Sequence, residues 1–182
     1  MKFTGRIFYN INSMKDLKGI LVRAGSNPKL LKMLNSLMRK MIPFNRPHRF
    51  NVEEITSERV VVRIPYRRSN LNHLKGIHAC ALTTACEYSS GLLILRHLGT
   101  ADYRLIMKSL TSTYHYQGKE AINAVFELSE ADVNSELIPE LKKEGVVDLT
   151  AEIKAFDLSG NHICTTVCLW QIKTWDKVKT KV

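Results

Sequence analysis

The sequence contains no CxxC pair, no histidine at a ligand interval from its cysteines, no internal repeat and no low-complexity linker. Its four cysteines, Cys80, Cys86, Cys164 and Cys168, sit inside apolar patterns rather than in loops. That argues against a metal site and a disulfide framework, and for small buried hydrophobes in a reducing compartment. No apolar run reaches membrane-spanning length uninterrupted; residues 77–95 come nearest, and Glu87 breaks them, so stable membrane insertion is not expected. The opening MKFTGRIFYN lacks the apolar core and small-residue cleavage site of a secretory signal, which makes a cytoplasmic location the expectation. Acidic residues are in short supply: 17 Asp and Glu face 27 Lys and Arg, a formal charge of +10. Such a balance favours an anionic partner, whether nucleic acid, a lipid surface or a phosphorylated small molecule. No aromatic residues alternate with the bases as a stacking platform requires, so nucleic acid is not expected.

At 182 residues the chain fits one folded domain with a core that needs no staples. We divide it into an N-terminal helical cover (1–43), a main body (44–175) and a basic tail (176–182). Residues 14–41 read as amphipathic helices broken near Gly25-Ser26-Asn27-Pro28, with Asn27 as cap and Pro28 at the first helical position. Residues 50–56 and 58–65 read as strands, and 66–75 as a polar, basic loop. A long apolar helix follows, then strands over 103–116 and 120–128, with Met107, Ser109, Thr111 and Thr113 expected on one face. A short helical excursion over 129–144 leads to a hairpin of 146–157 and 162–173.

The long helix carries the chemistry. Between Lys75 and Arg96 the only formal charge is Glu87. A carboxylate in a helix that must be buried is costly to ionise, which marks either a buried ion pair or a working group. Asn72 and His78 lie just upstream, where free helix N–H groups favour negative charge. His78 and Glu87 are nine residues apart, hence on opposite helix faces and about 13 Å apart along the axis. One helix cannot join them; two helices side by side in a dimer can. Singly, Glu87 reads as an ion-pair member, His78 as a helix-terminal residue and Asn72 as a turn residue, and only their conjunction points to a site. His48, His73, His97, His115 and His162 have no such spacing.

One apolar helix and five or six antiparallel strands are best satisfied by an α+β hotdog fold, a curved sheet wrapped around a central helix with extra N-terminal helices. Asn72-x-x-x-Gly76-x-His78-Ala79, followed by Glu87 and Gly91, resembles the motif of hotdog acyl-CoA thioesterases of the phenylacetyl-CoA thioesterase type. The match runs from about Phe44 to Trp170, and the chain looks like a little-characterised branch of that superfamily. The resemblance implies hydrolysis of an acyl-CoA, or of an acyl group on a carrier protein, in a homodimer or dimer of dimers, with no cofactor and no metal. The Ala79 N–H would polarise the thioester carbonyl, and His78 would hold that carbonyl or the leaving thiolate. The partner chain's Glu87 would activate water or attack the acyl carbon, and Asn72 would position either. A strand hydroxyl, Ser109 with Thr111 beside it, is a candidate for holding the water. Gly76 would shape the substrate loop, and Arg67, Arg68, Lys75 and Lys119 would meet the coenzyme A phosphates. Two departures stand out: His-Ala-Cys replaces the usual His-Gly-Gly, and Glu replaces the more common Asp. The rival reading is a hotdog module that binds acyl-CoA without turning it over.

Overall fold

A computed structural model describes residues 17–179. Residues 1–16 of the expected helical cover and 180–182 of the expected basic tail lie outside the described residues. The central helix, α3 by chain order, is Ala79–Leu98, and it is buried almost all round, from Ala81 and Leu82 through Leu93 and Ile94. A helix without a polar face must be enclosed. Six antiparallel strands do this as one curved sheet: β1 (Asn51–Ile55), β2 (Arg59–Ile64), β3 (Tyr103–Tyr114), β4 (Ile122–Glu127), β5 (Val146–Asp157) and β6 (His162–Thr174), in the order β1-β2-β4-β5-β6-β3. This is the expected α+β hotdog arrangement. Alternate residues face the helix, as the pleat demands: Val60, Val62 and Ile64 on β2, Ile122, Ala124 and Phe126 on β4. Between β4 and β5, Val133–Leu137 forms a π-helical turn and α4 spans Ile138–Glu144, ending at Gly145 in the left-handed region. Among the described residues no helix is long and apolar enough to cross a membrane.

The two N-terminal helices break where the sequence places the break. α1 (Leu17–Ser26) and α2 (Pro28–Met41) meet at Asn27, whose Oδ1 accepts from the Lys29 and Leu30 amides at 3.0 and 3.3 Å. Leu17, Leu21 and Ala24 of α1 and Leu34 and Met38 of α2 turn inward, while Lys29, Lys32 and Lys40 stay exposed.

These helices also decide which sheet edge is closed. The side chain of Asn35, on α2, accepts from the Val52 N–H at 2.7 Å and donates to the Val52 carbonyl at 2.9 Å. An amide side chain thus occupies the outer edge of β1 as a neighbouring strand would. The outer edge of β3, a strand of 12 residues, has no strand beside it among the described residues.

The expected face of Met107, Ser109, Thr111 and Thr113 is interrupted. A bulge between Met107 and Ser109 shifts the register against β6, so Leu110 pairs with buried Cys168, and Ser112 with buried Thr166. One extra residue reverses the alternation. Met107 shares its side with Trp170; beyond the bulge the inward series is Leu110, Ser112 and Tyr114, and Ser109 and Thr111 face outward.

Gly25 shows how tightly the cover is seated. A Cβ at this position would sit 2.2 Å from the Ile55 carbonyl oxygen, a backbone atom that cannot yield. Helix propensity alone favours Gly→Ala by about 1 kcal/mol. Here the overlap should win, and Gly25→Ala is expected to lower unfolding free energy by about 1–3 kcal/mol in denaturant titration. The neighbouring Ser26→Ala should change it by less than about 0.5 kcal/mol.

Candidate active site

The residues singled out upstream of α3 are gathered by one loop, 66–78. Its hub is Asn70, only 1% exposed. Asn70 Nδ2 donates to the His48 and Pro65 carbonyls at 2.9 Å each, Oδ1 meets His48 Nδ1 at 3.0 Å, and its carbonyl accepts from the His78 N–H at 2.7 Å. The backbone of His78 is thereby held at the helix entrance. Asn72 folds the loop tip: its Oδ1 accepts from the Leu74 and Gly76 amides at 2.9 and 3.1 Å, and Lys75 adopts φ +57°. Its side-chain oxygen therefore serves the loop. Gly76 is buried against Gln117, and the Ile77 N–H donates to the Gly118 carbonyl at 2.8 Å. That bond brings Lys119 beside the loop that carries Arg67, Arg68 and Lys75, and all four cations are exposed.

His78 is the N-cap of α3, and its Nδ1 accepts from the Cys80 N–H at 3.1 Å. Spending the Nδ1 lone pair on the cap puts the neutral ring's proton on Nε2, a donor turned away from the helix. The Ala79 N–H is the first amide of the helix and has no intrahelical acceptor by its position. His78, Ala79, Gly76 and Asn72 thus form one cluster at the positive end of the helix dipole. A chain of hydroxyls runs from it into the sheet. Tyr114 donates to the Ala79 carbonyl at 3.3 Å and meets Thr83 Oγ1 at 2.7 Å; Thr83 meets Ser112 at 2.8 Å, and Ser112 meets Thr166 at 2.8 Å.

Glu87 lies about two and a half turns further along. It borders a cavity of about 410 Å³ between α3, the N-terminal helices and β3. Burial alone pushes its carboxyl up to about 7. Among the described residues no hydrogen bond or ion pair holds that side chain, so the buried ion pair that could have explained it is not what the fold provides. Its helix is pinned to the sheet one turn later, where Trp170 Nε1 donates to Ser90 Oγ at 3.0 Å.

One chain therefore holds two separate features, a cluster of hydrogen-bond donors at the start of α3 and a carboxylate bordering a mostly apolar cavity. It does not bring them together. Ser109 and Thr111, on the outer face, join neither, and the β3 hydroxyls that reach the helix are those of Ser112 and Tyr114. Asn70, Thr83, Ser112 and Tyr114 escape sequence reasoning. The only signal for the two strand residues is the bulge, which has no residue signature here. Among the described residues no group of three or more His, Cys, Asp or Glu side chains could hold a metal ion.

No curated protein matches the chain. Among solved structures, a Pseudomonas aeruginosa protein of unknown function, described as a probable thioesterase, superposes with a TM-score of 0.73 at 23% identity, covering 79% of this chain and 95% of that one. A Haemophilus influenzae thioesterase gives 0.63 at 8% identity over 82% and 94% of the two chains. A Staphylococcus aureus thioesterase variant gives 0.58 at 12% over 72% and 98%. At these identities the likeness is one of fold. A family model described as a domain of unknown function, DUF4442, matches residues 31–175. The chain belongs to this DUF4442 family, and its fold is the thioesterase-type hotdog.

Proposed function

We propose that the protein hydrolyses an acyl-CoA thioester at a site shared by two subunits. The observation that carries this reading is Glu87: a carboxylate without a partner among the described residues, raised to about 7, beside a mostly apolar cavity of substrate size. A general base works best with a pKa near the operating pH. The β3 edge, which has no strand beside it among the described residues, supports pairing of two sheets there, since Asn35 already occupies the β1 edge and β3 residues Tyr103 and Leu105 line the Glu87 cavity. Such pairing sets two α3 helices close enough for His78 of one subunit to face the partner subunit's Glu87.

In this mechanism the thioester carbonyl oxygen accepts from the Ala79 N–H, whose helix-end dipole stabilises the oxyanion. The partner subunit's Glu87 takes a proton from water as the water oxygen bonds to the acyl carbon. The tetrahedral intermediate then collapses and the carbon–sulfur bond breaks. The thiolate leaves stabilised by a hydrogen bond from the His78 Nε2–H and takes up the proton that Glu87 received from water, giving a carboxylic acid, free coenzyme A and the Glu87 carboxylate. Arg67, Arg68, Lys75 and Lys119, exposed on and beside the loop that leads into α3, attract the coenzyme A phosphates in this mechanism. The proposed location is the cytoplasm, and the proposed assembly is a homodimer or dimer of dimers.

Glu87→Gln should lower kcat by about 10²–10⁴-fold while leaving acyl-CoA affinity within a few-fold, by steady-state kinetics and calorimetry. Tight binding with no turnover by the wild type on any acyl-CoA would instead make this a binding module. In the wild type, kcat/KM should rise with pH through about 7 as Glu87 ionises. Stability should run the other way. The unfolded carboxyl loses its proton in the ordinary range, but the folded one keeps it to about 7, so unfolding free energy falls as pH climbs through that window. Glu87→Gln should flatten that fall in thermal melts.

His78 has a structural and a chemical task, and two substitutions separate them. His78→Asn keeps an N-cap acceptor, whereas His78→Ala removes it at a cost of about 1 kcal/mol. Turnover should fall about equally in both while only His78→Ala loses thermal stability. Full activity in His78→Asn would confine the residue to capping.

A further inference from the structure

We propose that the cavity beside Glu87 takes an unbranched aliphatic acyl chain of medium to long length, and that Gly91 is the residue that keeps the room for it. The inference deepens the thioesterase reading and rests on it. A glycine inside a helix costs about 1 kcal/mol relative to alanine, so its presence needs a cause. Neither usual cause applies to Gly91. Its φ is not in the left-handed region, and among the described residues an added Cβ would meet only the Trp170 ring, at an ordinary 3.7 Å, with no backbone within 4 Å beyond its own helix. Gly91 lies one turn beyond Glu87 on the same wall of the cavity, so what its missing side chain leaves is cavity space.

The walls say what fills that space. Met38, Met41 and Ile42 come from α2 and the residue after it, and Leu92, Leu95 and Leu105 from α3 and β3. Tyr88, Tyr103, Trp170 and Trp175 add ring faces, and the polar groups among the lining are few beside this apolar wall, so a chain is held mainly by apolar contact. The cavity measures about 410 Å³. If a methylene needs about as much room as the ~30 Å³ of a liquid water molecule, a chain of roughly a dozen carbons fills it. A phenylacetyl group, with eight carbons, would leave a third or more of it empty, at a loss of dispersion contacts. The added N-terminal helices thus select the substrate by roofing a cavity for a chain of this length.

Trp170 and Trp175 are the two tryptophans of the sequence, and both line the cavity. Intrinsic fluorescence therefore reports occupancy whether or not turnover occurs. Saturated fatty acids of about four to eighteen carbons should bind with affinity rising about fourfold per added methylene, then levelling near a dozen. Hydrolysis of the matching acyl-CoAs should peak at the same length. Gly91→Leu adds four carbons to the wall and should move both the plateau and the peak about four carbons shorter. Gly91→Ala should move them by about one carbon and, being helix-favouring, should not lower the melting temperature.

Binding that follows chain length and shifts in Gly91→Leu, without hydrolysis of any thioester, would uphold the cavity and end the catalytic reading. Hydrolysis that prefers short or aromatic acyl groups and ignores Gly91→Leu would uphold the enzyme and overturn this inference. Sedimentation of Gly91→Leu closes the remaining route: dissociation with an unchanged chain-length profile would make Gly91 an interface residue and overturn it too.

Discussion

The structure turns on the cost of putting one carboxyl into an apolar helix. Raising Glu87 from the ordinary carboxylate range to about 7 corresponds to roughly 3 kcal/mol against its ionised form. A glutamine or leucine there would avoid that cost. The sequence around Glu87 is otherwise ordered for packing, with small and aliphatic residues on every side and the sheet wrapped round them. A group that a fold tolerates at such cost, with no partner among the described residues to offset it, is a candidate for chemistry. The expected role follows from its pKa, which makes it a proton acceptor around neutral pH.

The same helix keeps the two features apart within one chain. Its N-terminus gathers the donors, with His78 capping and the Ala79 amide unspent, while Glu87 opens on the far side of the helix. The two sheet edges are treated differently. Asn35 closes β1 with a pair of hydrogen bonds, and among the described residues no strand lies beside β3, next to the Glu87 cavity. Closing one edge and leaving the other limits how two copies can meet. The N-terminal helices thus cover the β1 edge and wall the cavity.

Much of the fold was legible before any coordinates. The Asn27-Pro28 break, the Gly160-Asn161 turn and the apolar run ahead of Arg96 are local signals, and each element follows from residues close in sequence. In the site, Glu87 stood out because charge is absent around it, and His78 because of its place before the helix. The failures were those of long-range geometry. The β3 bulge moved the inward hydroxyl from Ser109 to Ser112, because an alternation count cannot detect an inserted residue. Asn70 was invisible because its partners, His48 and Pro65, come from different parts of the chain. The cavity wall was hidden for the same reason, since α2 and β3 meet only in the folded protein.

Whether two chains share one site can be asked directly by mixing. Glu87→Gln and His78→Ala chains, each inactive alone and each shown to fold, are unfolded together, refolded as mixed oligomers and assayed for thioester cleavage. A shared site leaves one intact His78–Glu87 pair in every mixed dimer, so random assembly should restore about a quarter of wild-type activity. A mixture confirmed to contain mixed dimers, yet as inactive as either parent, would contradict the account.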